Sequence, residues 1–107
     1  MQDEICVVLS TAPSAEQAEL IAETLVFEKL AACAQTGAPV KSYYIWKGES
    51  FKETETPISI KAALSALPDL QKRFMEIHPY ECPQWIVLRA QASEKYAEWV
   101  NTSQKKI

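Results

Sequence analysis

Three features of this 107-residue sequence predict an α+β fold of the ferredoxin-like class. Strand-like and helix-like stretches alternate in the order β-α-β-β-α-β-α. Two long extended stretches meet at Lys47-Gly48, where a glycine able to adopt positive φ marks a hairpin turn. A proline-bounded connection, His78 to Pro83, then links a helical pattern to a last apolar run. Two split βαβ halves of this kind imply an antiparallel sheet with both main helices on one face, followed by an extra C-terminal helix.

Each element has its own justification. Residues 4–11 are rich in β-branched and apolar types, as a buried central strand would be. Ser14 opens a helix with Gln17 at the capping-box position, and Ala18, Ile21, Ala22, Leu25 and Leu30 carry helical spacing to about Ala32. Cys33 to Trp46 reads as extended, because Gly37, Pro39 and the pair Tyr43-Tyr44 oppose helix. The strand returns to about Ala63 with Ile58, Ile60 and Ala62 on one face. Pro57 within it implies an edge position or a bulge nearby, since proline donates nothing to a ladder. Ser65 and Pro68 start a second helix with Leu67, Leu70, Phe74 and Ile77 inward. Residues 84–91 form the next strand, and Ser93 caps a short helix containing Tyr96, Trp99 and Val100.

The middle hairpin is longer than the usual strand of roughly 5–6 residues, so its end must project past the sheet. A projecting arm that carries Tyr43, Tyr44, Trp46 and Phe51 points to contact between subunits. The length suits a single domain spanning residues 1–107. The apolar share of 48% allows either a well-filled monomeric core or aromatic surface buried in an assembly.

Charge and cysteine usage exclude several classes. The net charge is -3, and the basic residues are scattered apart from Lys105-Lys106, so no stripe marks a nucleic-acid reader. No apolar run approaches the roughly 18–20 residues that cross a bilayer, and Asp3 and Glu4 stand where a secretory signal wants positive charge. The reading is a cytoplasmic protein. Cys6, Cys33 and Cys82 show no Cys-x-x-Cys spacing, which argues against a disulfide framework or a zinc ribbon. Cys6 and Cys33 read as small buried hydrophobes, whereas Cys82 lies among polar groups.

The segment His78-Pro79-Tyr80-Glu81-Cys82-Pro83-Gln84-Trp85 holds the sole histidine. Its prolines stiffen the connection and hold His78, Tyr80, Glu81 and Cys82 in a fixed constellation. His78 reads either as a ligand or as a hydrogen-bonded hinge at a helix C-terminus, where the dipole favours positive charge.

Taken together, these stretches resemble the CutA family of divalent-cation-tolerance proteins. The matching residues are Leu30-Ala31-Ala32-Cys33-Ala34, Tyr44-Ile45-Trp46-Lys47-Gly48-Glu49, Ile60-Lys61, His78-Pro79-Tyr80-Glu81 with Pro83, and Tyr96 with Trp99. The resemblance implies a homotrimer with an architecture similar to the PII signalling proteins, in which the long hairpins pair between subunits. Tyr44, Trp46 and Trp99 are then interface residues. It also implies a link to heavy-metal resistance and copper binding. The family's described copper ligands are a cysteine near the end of the first strand and two adjacent histidines before Pro-Tyr. Ser10 and Ile77 stand at two of those three positions. That substitution removes most of the affinity expected for copper or another divalent cation. His78 with Cys82, a thiolate four residues on, is the metal pair that remains.

A second reading is a PII-like signalling or scaffold module that holds a small anionic ligand between subunits. Lys61, a lone charge beside apolar neighbours in mid-strand, is its candidate cation, and Tyr80 and Glu81 join it in the cleft. An enzyme is not expected. A His78–Cys82 pair has no third orienting group, and Gly37 and Gly48 are the only glycines, so no phosphate loop is present.

Overall fold

The strand around which the rest is built is β1 (Glu4–Ala12), whose alternate residues Cys6, Val8, Ser10 and Ala12 are buried on one face. The computed structural model describes residues 3–103. β1 is flanked antiparallel by β4 (Glu49–Ala62) and β5 (Ile86–Gln91). β2 (Cys33–Thr36) adds to the other side of β4, giving the order β2-β4-β1-β5. This is the split βαβ arrangement the sequence predicts.

Helices α1 (Ala15–Phe27) and α2 (Leu67–Ile77) cover one face. Ala18, Ile21 and Leu25 of α1 and Leu70 and Phe74 of α2 form one cluster with Cys6, Val8, Ile58 and Ile60. Each of the Val, Leu, Ile and Phe side chains contributes roughly 1.5–3 kcal/mol on burial, so this cluster holds the sandwich shut. Leu67 and Ile77 pack at its margin. The third helix, α3 (Glu94–Thr102), lies on the opposite face, where Ala97 and Val100 bury Ile5 and Ala32. Ser93 caps α3 through its side chain, as Ser14 caps α1.

Four details depart from the sequence expectation. First, α1 ends at Phe27 rather than near Ala32. Lys29 takes φ 63°. Its N–H donates to the Val26 carbonyl and that of Leu30 to the Leu25 carbonyl, the Schellman pattern with lysine in the usual glycine place. Leu30 is thereby turned into the core beside Leu25, which accounts for its helical spacing in the sequence. Second, the extended stretch after Cys33 is broken. β2 ends where Thr36 faces Ile58, and β3 (Val40–Trp46) begins where Val40 faces Glu55. Gly37, Ala38 and Pro39 stand opposite Thr56 and Pro57, so the arm bulges beside Pro57. Proline therefore sits in a central strand at a bulge, where the ladder is already interrupted; its carbonyl accepts from the Gly37 N–H at 3.0 Å. A Cβ on Gly37 would lie 3.1 Å from the Pro57 ring, tight enough that the ring would have to shift by a few tenths of an ångström, so the close approach favours glycine. Third, Ser65 sits in a 3-10 turn, Leu64–Ala66, and gives no cap, although Pro68 does occupy the first turn of α2. Fourth, the last strand starts at Ile86, because Pro83 to Trp85 complete the connection.

The hairpin β3–β4 closes at Trp46 and Glu49 through Lys47 and Gly48, whose φ values of 51° and 81° make a left-handed two-residue turn. β1 stops at Ala12 opposite Thr56, so Glu49–Glu55 pairs with β3 alone and projects. The described residues accordingly extend 45 × 24 × 23 Å. Lys105 and Lys106 lie outside them.

Candidate functional site

The connection from α2 to β5 wraps around the end of β1, and His78 fastens it there. His78 ends α2, with its N–H donating to the Phe74 carbonyl at 3.0 Å. The Tyr80 N–H donates to Nδ1 at 3.1 Å, so Nδ1 is unprotonated and Nε2 carries the hydrogen. Nε2 then donates to the Thr11 carbonyl at 2.7 Å. The ring is buried and lies 5.1 Å from the Phe74 ring and 4.9 Å from that of Tyr80. His78 is thus the hydrogen-bonded hinge, with both nitrogens used internally.

Tyr80 continues the fastening. Its hydroxyl donates to Glu55 Oε2 at 2.7 Å, and Thr11 Oγ1 donates to the same oxygen at 3.4 Å. Glu55 is only 7% exposed, so these bonds offset the cost of burying its carboxylate. Burial, then the Glu55 hydrogen bond, then the charges of Glu55 and Glu53 push Tyr80 ionisation well above the ordinary 10.0. Tyr44 donates to Glu53 at 2.8 Å, and that bond raises its ionisation as well.

A cavity of about 350 Å³ opens between hairpin and connection, lined by Tyr44, Trp46, Phe51, Tyr80, Glu81 and Cys82. Tyr44 and Phe51 are stacked cross-strand partners with ring centroids 5.2 Å apart. Lys47 Nζ sits 3.6 Å from Glu81 and 5.8 Å from the Trp46 ring centroid.

The structure brings Tyr80, Glu81 and Cys82 together and leaves Lys61 out. Lys61 pairs with Val7 and Cys33 at the far end of β4 and bonds Gln35. At about 3.3 Å per residue this is roughly 20 Å from Glu55, so within one chain Lys61 and the Tyr80–Glu81 cleft are separate. Copper does not fit the His78–Cys82 pair either. Both imidazole nitrogens are engaged, the Cys82 thiol is exposed, and Ser10 and Ile77 supply no donor of the required type. Among the described residues no three His, Cys, Asp or Glu side chains converge on a point that would hold a metal. Glu55, Glu53 and Thr11 escape sequence reasoning. Glu53 and Glu55 look like ordinary solvated positions in an alternating Glu-Thr stretch, and only the folded connection covers Glu55.

Outside the cavity, the sheet face opposite α1 and α2 is covered by α3 at one end only. In register on the open part are Val7 with Leu88 and Leu9 with Ile86. Leu88 is 48% and Ile86 47% exposed, and Trp99 on α3 is exposed as well. On the hairpin, Tyr43 and Ile45 face away from the cavity and are more than two-thirds exposed, whereas Tyr44 and Trp46 line it. Among the described residues no helix is long and apolar enough to cross a membrane.

A ferredoxin-like sandwich with an overlong hairpin and a proline-stiffened connection defines the structural class, which is that of PII-like proteins. The sequence then gives the family: residues 6–103 match the model of the CutA1 divalent ion tolerance protein, and the chain belongs to that family. The divalent-cation tolerance protein CutA of Thermus thermophilus is 38% identical over 95 residues, covering 88% of this chain and 92% of that protein. The chloroplastic protein CutA of Arabidopsis thaliana is 35% identical over 98 residues, 91% of this chain and 54% of that longer protein. Among solved structures, CutA1 from Ehrlichia chaffeensis superposes with a TM-score of 0.91 at 29% identity, covering 99% of this chain and 100% of that one. The PII-like protein CutA from Nostoc sp. PCC 7120 superposes at 0.87 with 32% identity, over 94% and 97%.

Proposed function

We propose that this chain serves divalent-cation tolerance as a homotrimer that works by assembly and binding, without catalysis. The observation that carries the reading is the open apolar sheet face of Val7, Leu9, Ile86 and Leu88, with Trp99 also exposed on α3. Apolar surface of this extent on a small domain is a subunit interface in the making. The projecting hairpin supplies a second contact through Tyr43 and Ile45, with the free edge of β3 available to a neighbouring strand. The Tyr44 and Trp46 positions support this arm from its inner side. Family membership supports the link to divalent cations. Copper enters as a metal whose tolerance the protein serves, and no single chain gives it a seat at His78 and Cys82. A non-catalytic role is supported by His78, whose ring has no nitrogen left to act as base toward the Cys82 thiol. The proposal places the protein in the cytoplasm, a reducing compartment in which Cys6, Cys33 and Cys82 would stay unpaired.

The PII-like alternative, a module for a small anionic ligand, requires Lys61 of one subunit to approach the Tyr80–Glu81 connection of another. Sedimentation equilibrium with metal analysis tests the main reading. A trimeric mass at micromolar concentration with copper well below one ion per chain is expected. A folded monomer, or stoichiometric copper lost on His78→Ala, would overturn it.

A further inference from the structure

The cavity between hairpin and connection has a chemistry that divalent-cation tolerance does not explain. Its walls are aromatic: Tyr44 stacked on Phe51, with Trp46 and Tyr80. Behind two of those rings stand carboxylates, Glu53 on the Tyr44 hydroxyl and Glu55 on that of Tyr80, and Glu81 is on the rim. Hydroxyl-bound carboxylates add electron density to rings whose faces already attract cations. Strand alternation sends Lys41 and Lys52 to the other face of the hairpin, since Tyr44, Phe51 and Glu53 share this one.

The charge near the cavity that is positive is Lys47, and its placement is a separate observation. Its ammonium, still largely in water, lies 5.8 Å from the Trp46 ring centroid and 3.6 Å from Glu81, the arrangement an external cation would take at this rim. Lys47 is mostly exposed and held by one long ion pair, so it is readily displaced.

We propose that this cavity is a binding site for a small organic cation of the methylated ammonium type, received by the Trp46, Tyr44 and Tyr80 rings with Glu81 at its mouth. A volume of about 350 Å³ is at the small end of ligand cavities. A quaternary ammonium group needs no hydrogen-bond acceptors, which suits a site whose nearby carboxylates Glu53 and Glu55 already accept from tyrosines. A hydrated divalent metal ion is poorly suited here, because it needs several free oxygen ligands. The inference goes beyond the assembly reading and does not rest on it. The cavity is lined by residues of one chain, and the hairpin contact proposed between subunits, through Tyr43 and Ile45, uses the opposite face of β3.

The test compares choline with 3,3-dimethylbutan-1-ol, its uncharged isostere, by calorimetry on the native protein at low ionic strength, with sedimentation run on the same samples. Choline is expected to bind and the alcohol to bind at least tenfold more weakly. Trp46→Leu keeps apolar bulk, removes the ring face and is expected to weaken choline at least tenfold. Lys47→Met removes the competing ammonium and is expected to tighten choline severalfold, which gives a readout even if Trp46→Leu fails to assemble. Equal binding of choline and the alcohol, no binding of either, or Lys47→Met leaving choline affinity unchanged or weaker would overturn the proposal.

Discussion

The Tyr80 hydroxyl lies 2.7 Å from Glu55 Oε2, joining the connection before β5 to the base of the projecting hairpin. This one bond sets the position of the cavity wall and satisfies a carboxylate that is almost fully buried. Tyr80→Phe keeps the ring but leaves that carboxylate with Thr11 as its remaining donor. The expected loss is about 1–3 kcal/mol, the cost of stranding a buried acceptor. Urea denaturation of the variant and parent checks this, and a loss below about half a kcal/mol would mean water replaces the hydroxyl without penalty.

The same contact gives a pH dependence with a definite sign. Burial and the Glu55 bond raise Tyr80 ionisation above its ordinary 10.0 in the folded protein. A raised value means the folded state holds its proton more tightly than the unfolded chain. The resulting stabilisation is complete below pH 10.0 and is lost as pH climbs through the higher folded value. Ultraviolet titration of the parent against Tyr80→Phe is expected to show Tyr80 ionising above its ordinary 10.0, and Tyr80→Phe is expected to flatten the alkaline fall in stability. An alkaline limb that Tyr80→Phe leaves unchanged would contradict the contact.

How much of this was legible in the sequence follows from the range of the interactions involved. Apolar periodicity reports burial on one face, so β1, α1, α2 and the hairpin were readable from Val8, Ile21, Phe74 and Gly48. The end of α1 was not. Leu30 keeps helical spacing because it returns to the core through a Schellman turn, and lysine at the left-handed position hides the usual glycine signal. Pro57 announced an edge position or a bulge, and that it is a bulge carried by the partner strand depends on pairing with Gly37. At the site, the hinge reading of His78, one of two the sequence leaves open beside a metal ligand, rests on local features, a helix end and a proline. Glu55 was invisible because its burial depends on Tyr80 and Thr11, both distant in sequence. Lys61 stands far from Tyr80 along β4 of one chain, so a cleft that joins them depends on a neighbouring subunit, which no local pattern in the sequence encodes.

Lys29 provides a test of the turn. Its φ of 63° is strained for a side chain with a Cβ and unstrained for glycine. Lys29→Gly is expected to stabilise the protein by about 1 kcal/mol, reduced by the greater freedom glycine gives the unfolded chain. Thermal and urea unfolding check it. Destabilisation would show that the lysine side chain makes a contribution larger than the backbone strain.

Leu88 tests the sheet face directly. It stands opposite Val7 on the face turned away from α1 and α2 and is half exposed in one chain, so a charge there is tolerated by an isolated subunit. In an assembly the same position is desolvated, and a carboxylate placed there has no partner; burying an unpaired charge costs several kcal/mol. Leu88→Glu is therefore expected to shift sedimentation from trimer to monomer at micromolar concentration while the far-ultraviolet spectrum keeps its α+β form. Glu98→Gln, on exposed surface of α3, serves as a control and is expected to leave the mass unchanged. A trimer that survives Leu88→Glu would move the interface off this face and onto the hairpin, where Tyr43→Ser and Ile45→Ser become the informative pair.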